Sequence, residues 1–377
     1  MKIQLSSVKK LPLWLLGIAF VVTSQCTLAI AEFSESTFTD LDYGFYFFGK
    51  NDAYEKYQPG QRNRYFDPSK PTMVYLHGWQ NGMVEDMRRE TFDTSDIIGA
   101  PEGIDLAASW INDGYNVAIY YWTQFADESE VQDAEEKIWP QPERNNPRRL
   151  SWRSYVSQGQ TETNNNGPQN TSISELFVEE YLDVFQDASN IRLAGHSLGA
   201  QLMIVASQQL LDAVNAGALN TNALPNRLAL LDPFFSNGEK DYLNNRWTGQ
   251  VARDYADNLK NAGVLIEAYR SSPTTSTIFV GDANNELLQK TAFSELAPWY
   301  FWAWQFTEKH VMARWWYLLS YNSSTLNIEN NNNRDALSAS ASNQTVRYWM
   351  NSNQRLVQTE GRRTERVSDD QFTQRNR

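Results

Sequence analysis

The octapeptide L-A-G-H-S-L-G-A, residues 193–200, constrains the fold more than any other stretch of the chain. It joins the apolar, β-type run Ile191-Arg192-Leu193-Ala194 to a helical pattern that continues through Gln209-Leu210-Leu211, with Gly195 at the turn and Gly199-Ala200 opening the helix. The bare spacing Gly195-x-Ser197-x-Gly199 arises by chance in roughly one chain in ten of this length. Between a strand and a helix it acquires a mechanical meaning. The serine sits in a strained turn, its neighbours must be small, and its hydroxyl stands at a helix N-terminus. Ser197 is the candidate nucleophile, and the competing reading is a serine in a glycine-rich turn.

The surrounding pattern alternates short β-branched or aromatic runs with amphipathic segments, which predicts an α/β fold. Strands are expected at Thr72 to Leu76, Asn116 to Tyr121, Ile191 to Ala194, Arg227 to Leu231, Val264 to Tyr269 and Ser276 to Val280. Most are continuous apolar runs, as strands of a parallel sheet covered on both faces should be. The clearest helix spans 173–186, with Ser172 and Glu175 placed to form a capping box. Residues 124–171 are polar and hold Pro140, Pro142, Pro147 and Pro168; they read as a long excursion, part of a cap over the site. After Tyr321 the chain is polar and charged, and residues 322–377 read as a solvated C-terminal appendage to a catalytic domain of residues 32–321.

A serine nucleophile needs a base, and the chain has only 3 histidines. His196 adjoins Ser197 and cannot easily turn its ring onto its neighbour's hydroxyl. His77 ends the first core strand in Leu76-His77-Gly78-Trp79, where an oxyanion loop belongs. That leaves His310 as general base. The acid that orients it should stand at the carboxyl end of a strand between the two. Asp232 follows the run Arg227 to Leu231 and is stopped there by Pro233; Asp282 is the distant alternative, and the competing reading of Asp232 is a turn residue before proline. The order Ser197, Asp232, His310 is that of α/β-hydrolases. The backbone N–H groups of Leu198 and Trp79 would then receive the tetrahedral oxyanion.

These segments resemble the pancreatic lipase family of α/β-hydrolases, which includes lipoprotein lipase and phospholipase A1 members. The matching pieces are HGWQNG (77–82), NVAIYYW (116–122), LAGHSLGA, LLDP (230–233) and KHVMARWWY (309–317), so the likeness covers about residues 70 to 320. It implies a mostly parallel central sheet with helices on both faces, and hydrolysis of carboxylic esters of lipids through an acyl-enzyme on Ser197, without an organic cofactor. It also implies an acid after the strand that follows the elbow strand, which Asp232 satisfies. An arginine and aromatics just after the histidine are matched by Arg314, Trp316 and Tyr317. The departures are the missing C-terminal β-sandwich and disulfides, the bulky Phe234 after Asp232-Pro233, and the length of the 124–171 excursion. The family's calcium-ligand run has no clear copy; Glu239 and Asp241 are the only candidates.

Substrate contacts are assigned to His77 and to Trp299, Trp302 and Trp304 of the run WYFWAWQF, residues 299–306. That run has neither a period of two nor one of 3.6, so it either packs into the core or lines an acyl pocket or lid. Phospholipase A1, short-chain esterase and thioesterase activities are the enzymatic alternatives. The non-enzymatic one is a lipid-binding protein of the same fold, as the yolk proteins of this family are.

Compartment and partners follow from the ends and the charge. Lys2, Lys9 and Lys10 precede an apolar run from Leu11 to Val22 and the small residues Ala29-Ile30-Ala31, the pattern of a signal peptide cleaved after Ala31. A retained N-terminal anchor is the competing reading. Removing residues 1–31 takes away three lysines and no acid, so 33 basic residues become 30 against 45 acidic ones and the formal charge moves from −12 to −15. The single cysteine, Cys26, leaves with it, so a secreted or periplasmic product would rely on an ordinary core. The acidic balance argues against nucleic acid and anionic membrane surfaces as partners and leaves neutral lipids open. No protein partner is indicated.

Overall fold

The computed structural model describes residues 33–141, 149–273, 281–323, 326–329 and 334–377. The expected leader and the expected strand at 276–280 lie outside the described residues. Thirteen strands are present among them: β1 (Gly44–Phe48), β2 (Tyr54–Lys56), β3 (Thr72–Leu76), β4 (Asn116–Tyr121), β5 (Trp152–Ser157), β6 (Gln160–Asn164), β7 (Ile191–His196), β8 (Arg227–Leu231), β9 (Leu265–Arg270), β10 (Ala292–Glu295), β11 (Asn327–Ile328), β12 (Gln354–Glu360) and β13 (Gln371–Asn376).

Eleven of them form one sheet in the order β11-β13-β12-β10-β9-β8-β7-β3-β4-β1-β2. The run from β4 to β12 is parallel throughout, while β1 and β2 close one edge antiparallel. The central strands β3, β4, β7 and β8 are buried along their whole length. Their unbroken apolar sequences record that burial. Helices fill the crossovers. Ile173–Phe185 begins with the expected capping box of Ser172 and Glu175, and Leu198–Asn215 leaves the elbow and buries residues around most of its circumference. This is the α/β-hydrolase architecture.

The C-terminal segment differs from the expected appendage. Helix Asn343–Asn351 covers β9 and β10, and β12 and β13 extend the central sheet, with Trp349, Leu356 and Phe372 buried. The central sheet therefore runs to residue 376, not 321. The attachment is also polar. Arg227 of β8 forms a forked pair with Glu267 of β9, at 2.7 and 2.5 Å, and donates to the carbonyls of Ser338 and Ala341. Tyr269 and Tyr317 hydroxyls donate to the same carboxylate. With every group satisfied the cluster is tolerated, but removing one ion strands the other in the interior. Glu267→Ala is expected to lower unfolding stability by about 3–5 kcal/mol, measured by denaturant melting. A loss of less than about 1 kcal/mol would show that the Arg227–Glu267 pair contributes little to holding the tail.

The described residues of the 124–171 excursion are held in part by buried charge. Its helix Val131–Ile138 buries Glu135 and Lys137. Lys137 donates to the Phe125 and Ser151 carbonyls. The Glu135 carboxylate accepts from Ser236 N, Gln201 Nε2 and Thr248 Oγ1, tying the excursion to the elbow helix and to the loop after β8. The β5–β6 hairpin forms a separate two-stranded sheet.

Candidate active site

Register brings the site together. In the β3–β7 pair Leu76 lies opposite Gly195, and in the β7–β8 pair His196 lies opposite Leu231. The next residues, His77-Gly78, Ser197 and Asp232, therefore leave three adjacent strands at one carboxyl edge. Ser197 has φ 55° and ψ −121°, a conformation that costs an L-residue roughly 1–3 kcal/mol and persists only where the surroundings impose it. Two glycines impose it. A Cβ on Gly195 would lie 2.4 Å from the Gly199 carbonyl oxygen, and one on Gly199 would lie 2.1 Å from that of Leu76.

Asp232 is fully buried and stands at φ 42°. One carboxylate oxygen accepts the backbone N–H groups of Ser271 and Ser272, at 3.0 and 3.3 Å. The other accepts the Ser272 hydroxyl and faces His310 Nδ1 at 2.5 Å. The acid is thus anchored by the start of the loop after β9. Asp282 is engaged elsewhere, accepting from Arg253 and from Asn284 N.

His310 lies in helix Phe306–Ser320, which supplies both its ring and, two turns on, Trp316 and Tyr317 of the core. Its backbone carbonyl accepts from His196 Nε2 at 3.0 Å, and the two imidazoles touch with centroids 4.5 Å apart. His196 thereby holds the His310 backbone beside the elbow. Burial, and then the neighbouring His310, push the His196 pKa down to about 3. Ser197 Oγ has no hydrogen-bond partner among the described residues. In unliganded sites the nucleophile–base contact is often long and closes with substrate.

Under the edge lies an ion pair that the sequence reading did not find. Arg314 reaches Glu90 at 2.7 Å, and Glu90 also accepts from Tyr75 and Gln80. Burial opposes the charge on Glu90, but Arg314 and the smaller contributions of its other neighbours, the Tyr75 hydroxyl among them, together outweigh it and the carboxyl is held at about 2. Glu90 sits in a loop with no local signal, so only its placement beneath β3 marks it.

His77 is fully buried, so it touches loop and core rather than substrate. This corrects the assignment made from sequence. The aromatic run is also divided. Phe301 packs inward, where a Cβ on Gly99 would meet its ring at 2.6 Å, while Trp302 and Trp304 are 66% and 69% exposed and stack on each other. Trp299 is exposed beneath the Arg362 guanidinium. A run that is mostly exposed is not core. A cleft of about 540 Å³ opens between Ser271-Ser272 and Trp299, Phe301 and Lys309.

Among the described residues no group of three or more His, Cys, Asp or Glu side chains is placed to hold a metal. Asp241 accepts from Tyr242 N, and the nearby Glu135 carboxylate is already occupied.

No protein-family model matches the sequence, and no curated protein does. Among solved structures, Est1E from Butyrivibrio proteoclasticus aligns at 11% identity over 62% of this chain and 76% of its own, with a TM-score of 0.26. A lipase-esterase related protein from Clostridium acetobutylicum aligns at 11% identity over 60% and 78%, with a TM-score of 0.25. The fold assignment rests on strand order and the elbow, not on these alignments.

Proposed function

We propose that the chain is a serine hydrolase that cleaves carboxylic esters of lipids, of triacylglycerol lipase type. The observation that carries this reading is the strained Ser197 at the same sheet edge as the 2.5 Å Asp232–His310 pair. In this reading His310 Nε2 takes the Ser197 proton as Oγ attacks the ester carbonyl. Asp232 keeps the imidazole in its Nδ1–H tautomer and stabilises the imidazolium. The N–H groups of Leu198 and Trp79 receive the oxyanion; among the described residues neither donates to another backbone group. Collapse expels the alcohol, protonated by His310, and water repeats the sequence to release the acid. Reaction with a fluorophosphonate probe, lost in Ser197→Ala, tests the nucleophile. A wild-type chain that does not react would favour the lipid-binding alternative.

The lipid assignment rests on exposed aromatic side chains. Trp302, Trp304 and Phe306 precede His310 within eight residues, Trp79 lies in the loop facing Ser197, and all four are exposed. Large exposed apolar groups mark a surface that buries itself on a partner. The formal charge of −12 disfavours anionic phospholipid, so neutral glycerides are the preferred substrate. Trp302→Ala with Trp304→Ala is expected to lower hydrolysis of emulsified long-chain glycerides by about tenfold or more, leaving soluble butyrate ester hydrolysis nearly unchanged. Parallel loss of both activities with a lower Tm would mean that the pair serves packing only.

The sequence traits of a signal peptide accord with export. Among the described residues no helix is long and apolar enough to cross a membrane.

A further inference from the structure

We infer that His77 is a positioning residue that fixes the direction of the Trp79 N–H, one of the two oxyanion donors. The inference rests on the reading of Ser197 as an acylated nucleophile. The protonation of this imidazole is settled by its partners. Nε2 faces the backbone N–H of Trp122 at 3.1 Å. An N–H can only donate, so Nε2 is the acceptor and the proton sits on Nδ1. Nδ1 then donates to the Gly78 carbonyl at 2.9 Å. The ring stacks on the Trp122 indole, 4° from parallel, and that indole's Nε1 donates back to the His77 carbonyl at 3.0 Å. Burial holds the His77 pKa down at about 4, which keeps the ring neutral around pH 7.

The Gly78 carbonyl and the Trp79 N–H belong to one planar trans peptide, and in such a unit they point in opposite directions. Pinning the carbonyl on His77 therefore aims the N–H away from the core. The peptide flanks the nucleophile, since a Cβ on Gly78 would lie 2.8 Å from Ser197 Cβ. The rest of the loop is fastened elsewhere. Gln80 N donates to the Ala126 carbonyl. Gly82 N and Val84 N donate to Asp127, and Trp79 Nε1 donates to the Glu128 carbonyl. The Gly78–Trp79 peptide plane has His77 as its own anchor. Without that proton the buried carbonyl loses its donor, and rotation of the peptide plane would turn the Trp79 N–H out of the oxyanion site.

Two polar replacements separate this role from simple packing. Asn places an amide N–H near the position of Nδ1, whereas Gln places it near Nε2, opposite a backbone donor. His77→Gln is expected to lower kcat on a short-chain ester and the rate of fluorophosphonate labelling by about 10²-fold, with KM little changed. His77→Asn should recover at least about tenfold of that loss. Equal activity of the two variants overturns the inference, as does a Gln variant with wild-type kcat. Nitrogen chemical shifts of the His77 ring in the wild-type protein test it without any variant: an Nδ1–H tautomer is expected, and an Nε2–H tautomer overturns it. If the wild-type chain fails to react with the probe, the reading of Ser197 falls and takes this inference with it. If it reacts and the two variants do not differ, only the role of His77 falls.

Discussion

Replacing Ser197 or His310 by alanine is expected to lower kcat by about 10³- to 10⁶-fold, and the double variant should be little worse than either alone. In the proposed mechanism the two act as one unit, since a serine hydroxyl without its base is a weak nucleophile and a base without its serine has nothing to activate. The geometry gives His310 no rival. His77 lies fully buried with both ring nitrogens bonded inside the protein, and His196 spends Nε2 on the His310 carbonyl. Single-turnover measurements on a soluble ester, with Tm as control for folding, check the result. A His310→Ala variant within about tenfold of wild type would remove it from the role of base.

The carboxyl edge was the legible part of this chain because its rules are local. A strand buried on both faces must be apolar throughout, and β3, β4, β7, β8 and β9 are read from that pattern almost residue for residue. The elbow is legible because two backbone approaches of under 2.5 Å exclude any side chain at Gly195 and Gly199. The C-terminal strands were hidden by the same rule. In Gln354–Glu360 only Leu356 and Gln358 are fully buried, and one of these is polar, so the strand carries no apolar run. Glu90 was hidden because its meaning comes from Arg314, more than two hundred residues away in sequence. The aromatic run resisted assignment for a third reason: no period distinguishes a fully buried segment from a largely exposed one.

The identity of the acid is tested by comparing Asp232→Asn with Asp282→Asn. Asparagine at 232 can still accept the N–H groups of Ser271 and Ser272, so the fold and the loop after β9 should survive. It removes the negative charge facing His310 Nδ1 at 2.5 Å. The imidazolium formed in the transition state then loses its counter-charge, and the amide can donate to Nδ1 and select the wrong tautomer, which costs about 10⁴-fold in kcat in the comparable triad. The expected loss here is on the order of 10³ to 10⁴ in kcat, with KM little affected. Asp282 makes its ion pair with Arg253 at 2.9 Å and accepts from Asn284 N. Its replacement by Asn touches neither Ser197 nor His310, so activity should stay within about twofold while stability falls by up to about 1 kcal/mol. Steady-state kinetics and thermal melts of the two variants decide the matter. If Asp282→Asn loses the activity and Asp232→Asn keeps it, the acid has been placed on the wrong strand and the observed Asp232–His310 contact is structural only.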